Sequence, residues 1–209
     1  MTTLNPSTGL FIVFEGGDAV GKTTQMRMLV PWLRERGVDP VVTRQPGGTS
    51  LGRKLRKLLL GPDHPELVSR AEALIYAADK AQHVEELIRP ALTEGQVVVC
   101  DRYVDSMIAY QGAGRVLDLA EVEQVARWAT GGLRPDLTVL LDADPADAVA
   151  TIRQQDRLEA AGLDFHRRAR EHFLRLASQA LDRYLVLDAR ESREAIAQQV
   201  AARVGSLIA

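Results

Sequence analysis

With 209 residues, a formal net charge of −2, 46% hydrophobic and 26% charged residues, the chain has the make-up of a globule of one large domain. That near-neutral balance argues against a general nucleic-acid binder, and no apolar run reaches the length that spans a membrane. Cys100 is the only cysteine and the four histidines lack zinc spacing, so a reducing, cytoplasmic setting is expected.

Residues 1–9 read as a short disordered lead-in to a single domain over 10–209. An apolar run at 10–15 predicts a buried strand, and it ends in Gly16-Gly17-Asp18-Ala19-Val20-Gly21-Lys22-Thr23-Thr24. Gly16, Gly21, Lys22 and Thr23 fit the spacing G-x-x-x-x-G-K-[ST]. Glycines let the backbone curl so that N–H groups face phosphate oxygens, and the helix that follows adds its positive end. Lys22 then reaches the terminal phosphates of a nucleotide, and the Thr23 hydroxyl helps hold Mg²⁺.

The helix over 21–36 carries Pro31, which predicts a kink or break. Val41-Val42-Thr43 is a second strand, closing on the turn-rich Arg44-Gln45-Pro46-Gly47-Gly48-Thr49. Residues 51–60 form a basic amphipathic helix whose Arg53, Lys54, Arg56 and Lys57 read as a solvated face. A long helix over 66–92 leads to a third strand, Val97-Val98-Val99-Cys100, ending at Asp101-Arg102-Tyr103. Further helices are expected over 105–111, 119–130, from 145 to about 154, 164–181 and 192–208, with strands at 137–141 and 184–187. The polar stretch 154–163 reads as a mobile loop.

Apolar strands alternating with amphipathic helices call for a parallel sheet covered on both faces. Ligands then bind beyond the carboxyl ends of the strands, where Glu15-Gly16, Arg44-Gln45, Asp101-Arg102 and Asp142-Ala143 all fall. A phosphate loop facing two strand-terminal arginines suggests a phosphotransferase with two phosphate-bearing ligands. An acceptor that is itself a phosphate monoester is largely dianionic at neutral pH and needs no general base. The chain offers Lys22, Arg44, Arg102, Arg153 and Arg157 but no obvious His–Asp or Ser–His pair. Arg153 and Arg157 are either solvent-exposed loop charges or late-entering contacts to the transition state.

The segments 14–25, 43–49, 76–83, 101–106, 109–112, 134–138 and 156–159 together resemble the bacterial thymidylate kinases, in collinear order across residues 10–190. The resemblance implies a P-loop NTPase-type three-layer α/β/α fold with a five-stranded parallel sheet and a short mobile lid near 153–163. It also implies a homodimer that phosphorylates dTMP to dTDP with Mg·ATP. On that pattern Gly16 to Thr24 hold ATP, and Asp18 also points across to the sugar of dTMP. Arg44 and Arg102 take the acceptor phosphate, and Asp101 orders the Mg²⁺ region. Tyr76 stacks on thymine, Lys80 stands at its edge, Tyr103 crowds the ribose 2′ position, and Tyr110 and Gln111 complete the pocket. Ala19 lacks the charge some members carry there, which shifts the catalytic arginine to the lid, to Arg153 or Arg157. The family usually has Glu at Gln45 and Arg at Lys80, so Lys80→Arg is expected to lower the KM for dTMP. Two rivals stay open: a related kinase with another acceptor base, and a non-catalytic ATP-binding module.

Overall fold

The computed structural model describes residues 9–149, 158 and 161–208. Five strands form one parallel sheet in the order β2-β3-β1-β4-β5: β1 (Leu10–Gly16), β2 (Val41–Arg44), β3 (Val97–Asp101), β4 (Leu137–Asp142) and β5 (Tyr184–Asp188). Strand β1 is buried throughout and β3 and β4 nearly so, as two-sided coverage requires; β2 alternates half-buried and exposed because it is an edge.

Side chains alternate between the two faces. Leu10, Ile12, Phe14, Val99 and Val139 pack on one side against helices α1 (Lys22–Arg34) and α9 (Arg193–Ile208), through Met26, Leu29, Leu33, Ile196, Val200 and Val204. Phe11, Val13, Val98 and Cys100 face the other layer. That layer holds α2 (Ser50–Leu60), α3 (Ser69–His83), α4 (Arg89–Thr93), α5 (Val104–Met107), α6 (Leu119–Ala129) and α8 (Leu163–Ser178). A further short helix, α7 (Pro145–Val149), follows β4.

Three local expectations change. Helix α1 runs unbroken through Pro31: Arg27 and Pro31 are both exposed, so the carbonyl that loses its partner lies on the solvent side. The long helix begins at Ser69 rather than Glu66, because a turn closes from Leu67 N–H to the His64 carbonyl, and it widens to π geometry over Val84–Ile88. A second π segment, Ile108–Gly114, continues α5 past the predicted stop at Gln111. Residues 1–8 of the 1–9 lead-in, the end of the predicted helix at 150–154, and Arg153 and Arg157 with most of the lid lie outside the described residues. Gly9 already bonds from its N–H to the Leu92 carbonyl at 3.0 Å.

Candidate active site

Strand β1 sits between β3 and β4, so the chain leaves it toward β2 on one side and later reaches β4 on the other. That reversal opens a crevice beyond the carboxyl ends of β1 and β3. A cleft of about 490 Å³ occupies it, within the range of small-ligand sites. Asp18, Ala19, Gly21, Lys22, Thr23 and Thr24 line one wall; Arg44, Gln45, Arg56, Tyr76, Lys80, Asp101, Arg102, Ser106, Met107, Tyr110, Gln111 and Leu158 line the other.

The first wall is built by backbone. Gly16 and Gly21 have φ of 127° and 97°, and a Cβ on Gly16 would lie 2.2 Å from the Leu141 carbonyl oxygen, so only glycine fits there. Ala19 also takes positive φ, 59°, an uncommon cost for a residue with a Cβ. The Lys22 ammonium is buried and donates to the Gly16 carbonyl at 3.2 Å and to that of Gly17. Burial, then the nearby Arg102 charge, lowers its pKa to about 8.

The second wall is built by side chains, and Arg102 is its centre. At the end of β3 it adopts φ of 66° and bonds its backbone N–H to the Phe14 carbonyl at 2.9 Å. Its guanidinium pairs with Asp18 and donates to the Gly16 carbonyl at 2.9 Å, Ser106 Oγ at 3.1 Å and the Tyr110 hydroxyl at 3.4 Å. Burial alone would raise the Asp18 carboxyl; Arg102, followed by Lys22, outweighs that and holds it below the usual range. Asp18 thus links the walls through Arg102.

Beneath Arg102 lies Glu15, with no exposed surface, accepting from Tyr103 N–H at 2.7 Å, Ser106 N–H at 3.2 Å and Ser106 Oγ at 2.6 Å. Buried Glu72 plays the same part further along, accepting from Gln111 Nε2 at 2.9 Å and from Arg115 through both oxygens at 3.2 Å. Neither glutamate was assigned a role from sequence. The signal was available for Glu15: a charge ending a strand buried on both sides needs buried partners. Arg56, read as solvated, is half-buried, lines the cleft and donates to the Pro46 carbonyl at 3.0 Å; Arg53, Lys54 and Lys57 are exposed as expected.

Most of the expected substrate residues converge here: Arg44, Tyr76, Lys80, Arg102, Tyr110 and Gln111 all line the cleft. Tyr103 does not. Its ring meets Phe11 edge-on at 5.0 Å, its hydroxyl donates to the Leu133 carbonyl at 3.2 Å, and 1% of it is exposed. The left-handed turn at Arg102 breaks the strand alternation and puts Tyr103 on the same face as Val98 and Cys100, in the core under β1 and β3, so the ribose role does not rest on this residue. Gln45 and Lys80, the two departures read separately along the chain, touch: Lys80 Nζ donates to Gln45 Oε1 at 2.9 Å.

A metal fits one spot. Asp101 Oδ2 accepts from Thr23 Oγ1 at 3.3 Å, while Asp101 Oδ1 is buried with no hydrogen-bond partner. Among the described residues no group of three or more His, Cys, Asp or Glu side chains could hold a metal unaided. A hydroxyl beside one carboxylate suits Mg²⁺, which takes its remaining ligands from water and substrate phosphates.

A phosphate loop beside an arginine-centred second pocket on a five-stranded parallel sheet defines a P-loop phosphotransferase acting on a nucleotide-sized acceptor. The family model described as thymidylate kinase matches residues 14–200. The chain is 58% identical over 200 residues to the thymidylate kinase of Cutibacterium acnes, covering 96% of this chain and 98% of that protein. It is 53% identical to that of Clavibacter sepedonicus, covering 97% of each. The crystal structure of thymidylate kinase from Ehrlichia chaffeensis superposes with a TM-score of 0.77 at 31% identity, covering 94% of this chain and 98% of that one. The chain belongs to the thymidylate kinase family.

Proposed function

We propose that this chain transfers the γ-phosphoryl group of ATP to the phosphate of dTMP, giving dTDP and ADP. The observation that carries the reading is the cleft in which Lys22 and Arg102 meet, both donating to the Gly16 carbonyl between the phosphate loop and the second pocket. A P–O bond forms from an acceptor phosphate oxygen and the bond to the β-phosphate breaks. The dianionic acceptor supplies its own nucleophile, so the protein's task is to bring anions together and stabilise spread charge.

On this reading Gly16 to Thr24 hold the triphosphate, with Lys22 on its terminal phosphates. Arg102, Arg44 and Arg56 receive the acceptor phosphate, and Asp18 aims Arg102. Tyr110, beside Arg102 in the cleft wall, lies along the sugar, and Tyr76 and Met107 sandwich the base. The hydrogen-bond polarity selects the base. Gln111 Nε2 is engaged by Glu72, which leaves its Oε1 to accept a ring N–H; Lys80 can only donate, which suits a ring carbonyl. Thymine and uracil present that pair, N3–H beside O4, and cytosine and adenine do not; guanine presents it too, N1–H beside O6, and is left for the size of the pocket to exclude. The methyl group adds only about 0.8 kcal/mol in favour of thymine.

Thr23 and Asp101 would hold Mg²⁺, which would supply positive charge to offset the negative charge of the terminal phosphates. Arg153 and Arg157 are proposed as lid arginines from sequence alone. Exposed Leu51, Leu58, Val68, Leu74 and Trp128 lie on or beside the neighbouring helices α2, α3 and α6, and support a homodimer through that layer. No helix among the described residues is long and apolar enough to cross a membrane. Buried, reduced Cys100 suits the cytoplasm.

A coupled ADP-release assay with dTMP, dUMP, dGMP and dAMP tests the proposal. Release that depends on dTMP and exceeds that with the purines is expected. ATP binding without acceptor-dependent release would instead make the chain a binding module.

A further inference from the structure

Under the base pocket runs a chain of hydrogen bonds that phosphoryl transfer does not use. Lys80 Nζ donates to Gln45 Oε1 at 2.9 Å, Gln45 Nε2 lies 2.9 Å from His83 Nδ1, and His83 Nε2 lies 2.7 Å from Thr43 Oγ1. Lys80, Gln45 and His83 are all buried.

The polarity of this chain is decided at its lysine end. An ammonium can only donate, so Gln45 must turn its carbonyl oxygen toward Lys80. Its NH₂ group then faces His83, and Nδ1 must accept. A neutral imidazole with a lone pair on Nδ1 carries its proton on Nε2, which donates to the Thr43 hydroxyl. Flipping the amide would set NH₂ against NH₃⁺, and protonating Nδ1 would set donor against donor. Burial, then the charge of Lys80, keeps the imidazole neutral, with a pKa lowered to about 4.

The ring is also clamped sterically. A Cβ on Gly48 would lie 2.3 Å from His83 Nε2 and 2.7 Å from Thr43 Oγ1, so glycine backbone closes over this hydrogen bond. The loop itself is tied down by Gln45 N–H to the Asp101 carbonyl at 2.9 Å and by Gly47 N–H to Asp79 Oδ1 at 3.0 Å. Lys80 has competing attractions, because the carboxylates of Asp79, Glu15 and Asp105 all act on it. Without an oriented Gln45 carbonyl its flexible stem would let the ammonium move toward one of them.

We infer that His83 is a positioning residue for acceptor recognition: as the Nε2–H tautomer it orients the Gln45 amide, which holds the Lys80 ammonium toward the polar edge of the acceptor base. The inference rests on the placement of the base beside Lys80 proposed above. His83 touches no substrate in this arrangement and acts only through Gln45.

The test combines a spectroscopic signature with kinetics. Long-range ¹H–¹⁵N correlation on histidine-labelled wild type, assigned by loss of the signal in His83→Gln, is expected to show a neutral Nε2–H ring between pH 5.5 and 8. In Gln45→Glu the carboxylate can only accept, so Nδ1 is expected to become protonated. His83→Leu is expected to raise the KM for dTMP about tenfold, with kcat and the KM for ATP within about twofold, as for loss of one orienting hydrogen bond. A wild-type ring protonated on Nδ1 at neutral pH overturns the inference, as does a His83→Leu enzyme whose KM for dTMP is unchanged or whose two KM values rise together. If His83→Leu fails to fold, the wild-type and Gln45→Glu spectra still decide. Lys80→Met with an unchanged KM for dTMP would refute the placement of the base, which the ring tautomer does not depend on.

Discussion

The two walls of the cleft are made in different ways. The donor wall is one unbroken stretch, Gly16 to Thr24, whose shape comes from backbone torsions at Gly16 and Gly21 and from a helix start. The acceptor wall gathers side chains from the ends of β2 and β3, from α2, from α3 and from α5 with its π extension. Its parts are held by buried charges, Glu15 and Glu72 above all, each saturated by donors from distant segments. A wall made of backbone tolerates changes in its neighbours. A wall made of buried ionic contacts fails when one partner is removed, because the other is left charged in a dry interior.

The largest expected effect tests the residue that joins the walls. Arg102→Ala should lower kcat/KM for dTMP by about 10²–10³ in steady-state ADP release, as for loss of a preorganised charge donor. Arg102→Lys should recover little, since an ammonium cannot serve Asp18, Ser106 and a phosphate from one fork. Next, Glu15→Ala should cost about 3 kcal/mol in denaturant unfolding, by orphaning Tyr103 N–H, Ser106 N–H and Ser106 Oγ. Since Glu15 belongs to the donor strand, damage mainly to dTMP binding in the folded fraction would show that it serves the opposite wall.

A smaller effect separates the walls by pH. With its pKa lowered to about 8, Lys22 is cationic below that value and neutral above it, so kcat/KM for ATP should fall as pH rises beyond about 8. The KM for dTMP at saturating ATP should stay flat across the same range, and a shared limb would contradict the division of labour. Smallest of all, Lys80→Arg should now raise the KM for dTMP a few-fold, reversing the expectation from sequence. The site is nearly closed, at 2% exposure, and offers one carbonyl, so a larger fork is overpacked there. Adding Gln45→Glu should restore part of the loss, measured as a double-mutant cycle.

What could be read along the chain follows from locality. The phosphate loop, the five strands and the convergence of their carboxyl ends depend on neighbours in sequence, on the two-residue period of a strand and on the rule for parallel sheets. Even Arg44, Arg102, Tyr76 and Gln111 were legible because they immediately follow strands or sit in collinear motifs. Tyr103 escapes a reading along the chain because the left-handed turn at Arg102 breaks the alternation of β3 and sets it on the face of Cys100. Arg56 was misread because amphipathic spacing does not say which charge tips into a cleft.

The sequence by itself determined a glycine-bearing phosphate-loop motif and two strand-terminal arginines placed at one edge of a parallel sheet. Only the tertiary structure decided how the cleft is held: which buried carboxylate serves which donor, that Gln45 and Lys80 form one pair, and that His83 lies against the Gln45 amide. Hydrogen-bond partners separated by 35 to 91 residues leave no periodic trace in a chain, because their pairing is set by packing and by the cost of leaving a buried polar group alone.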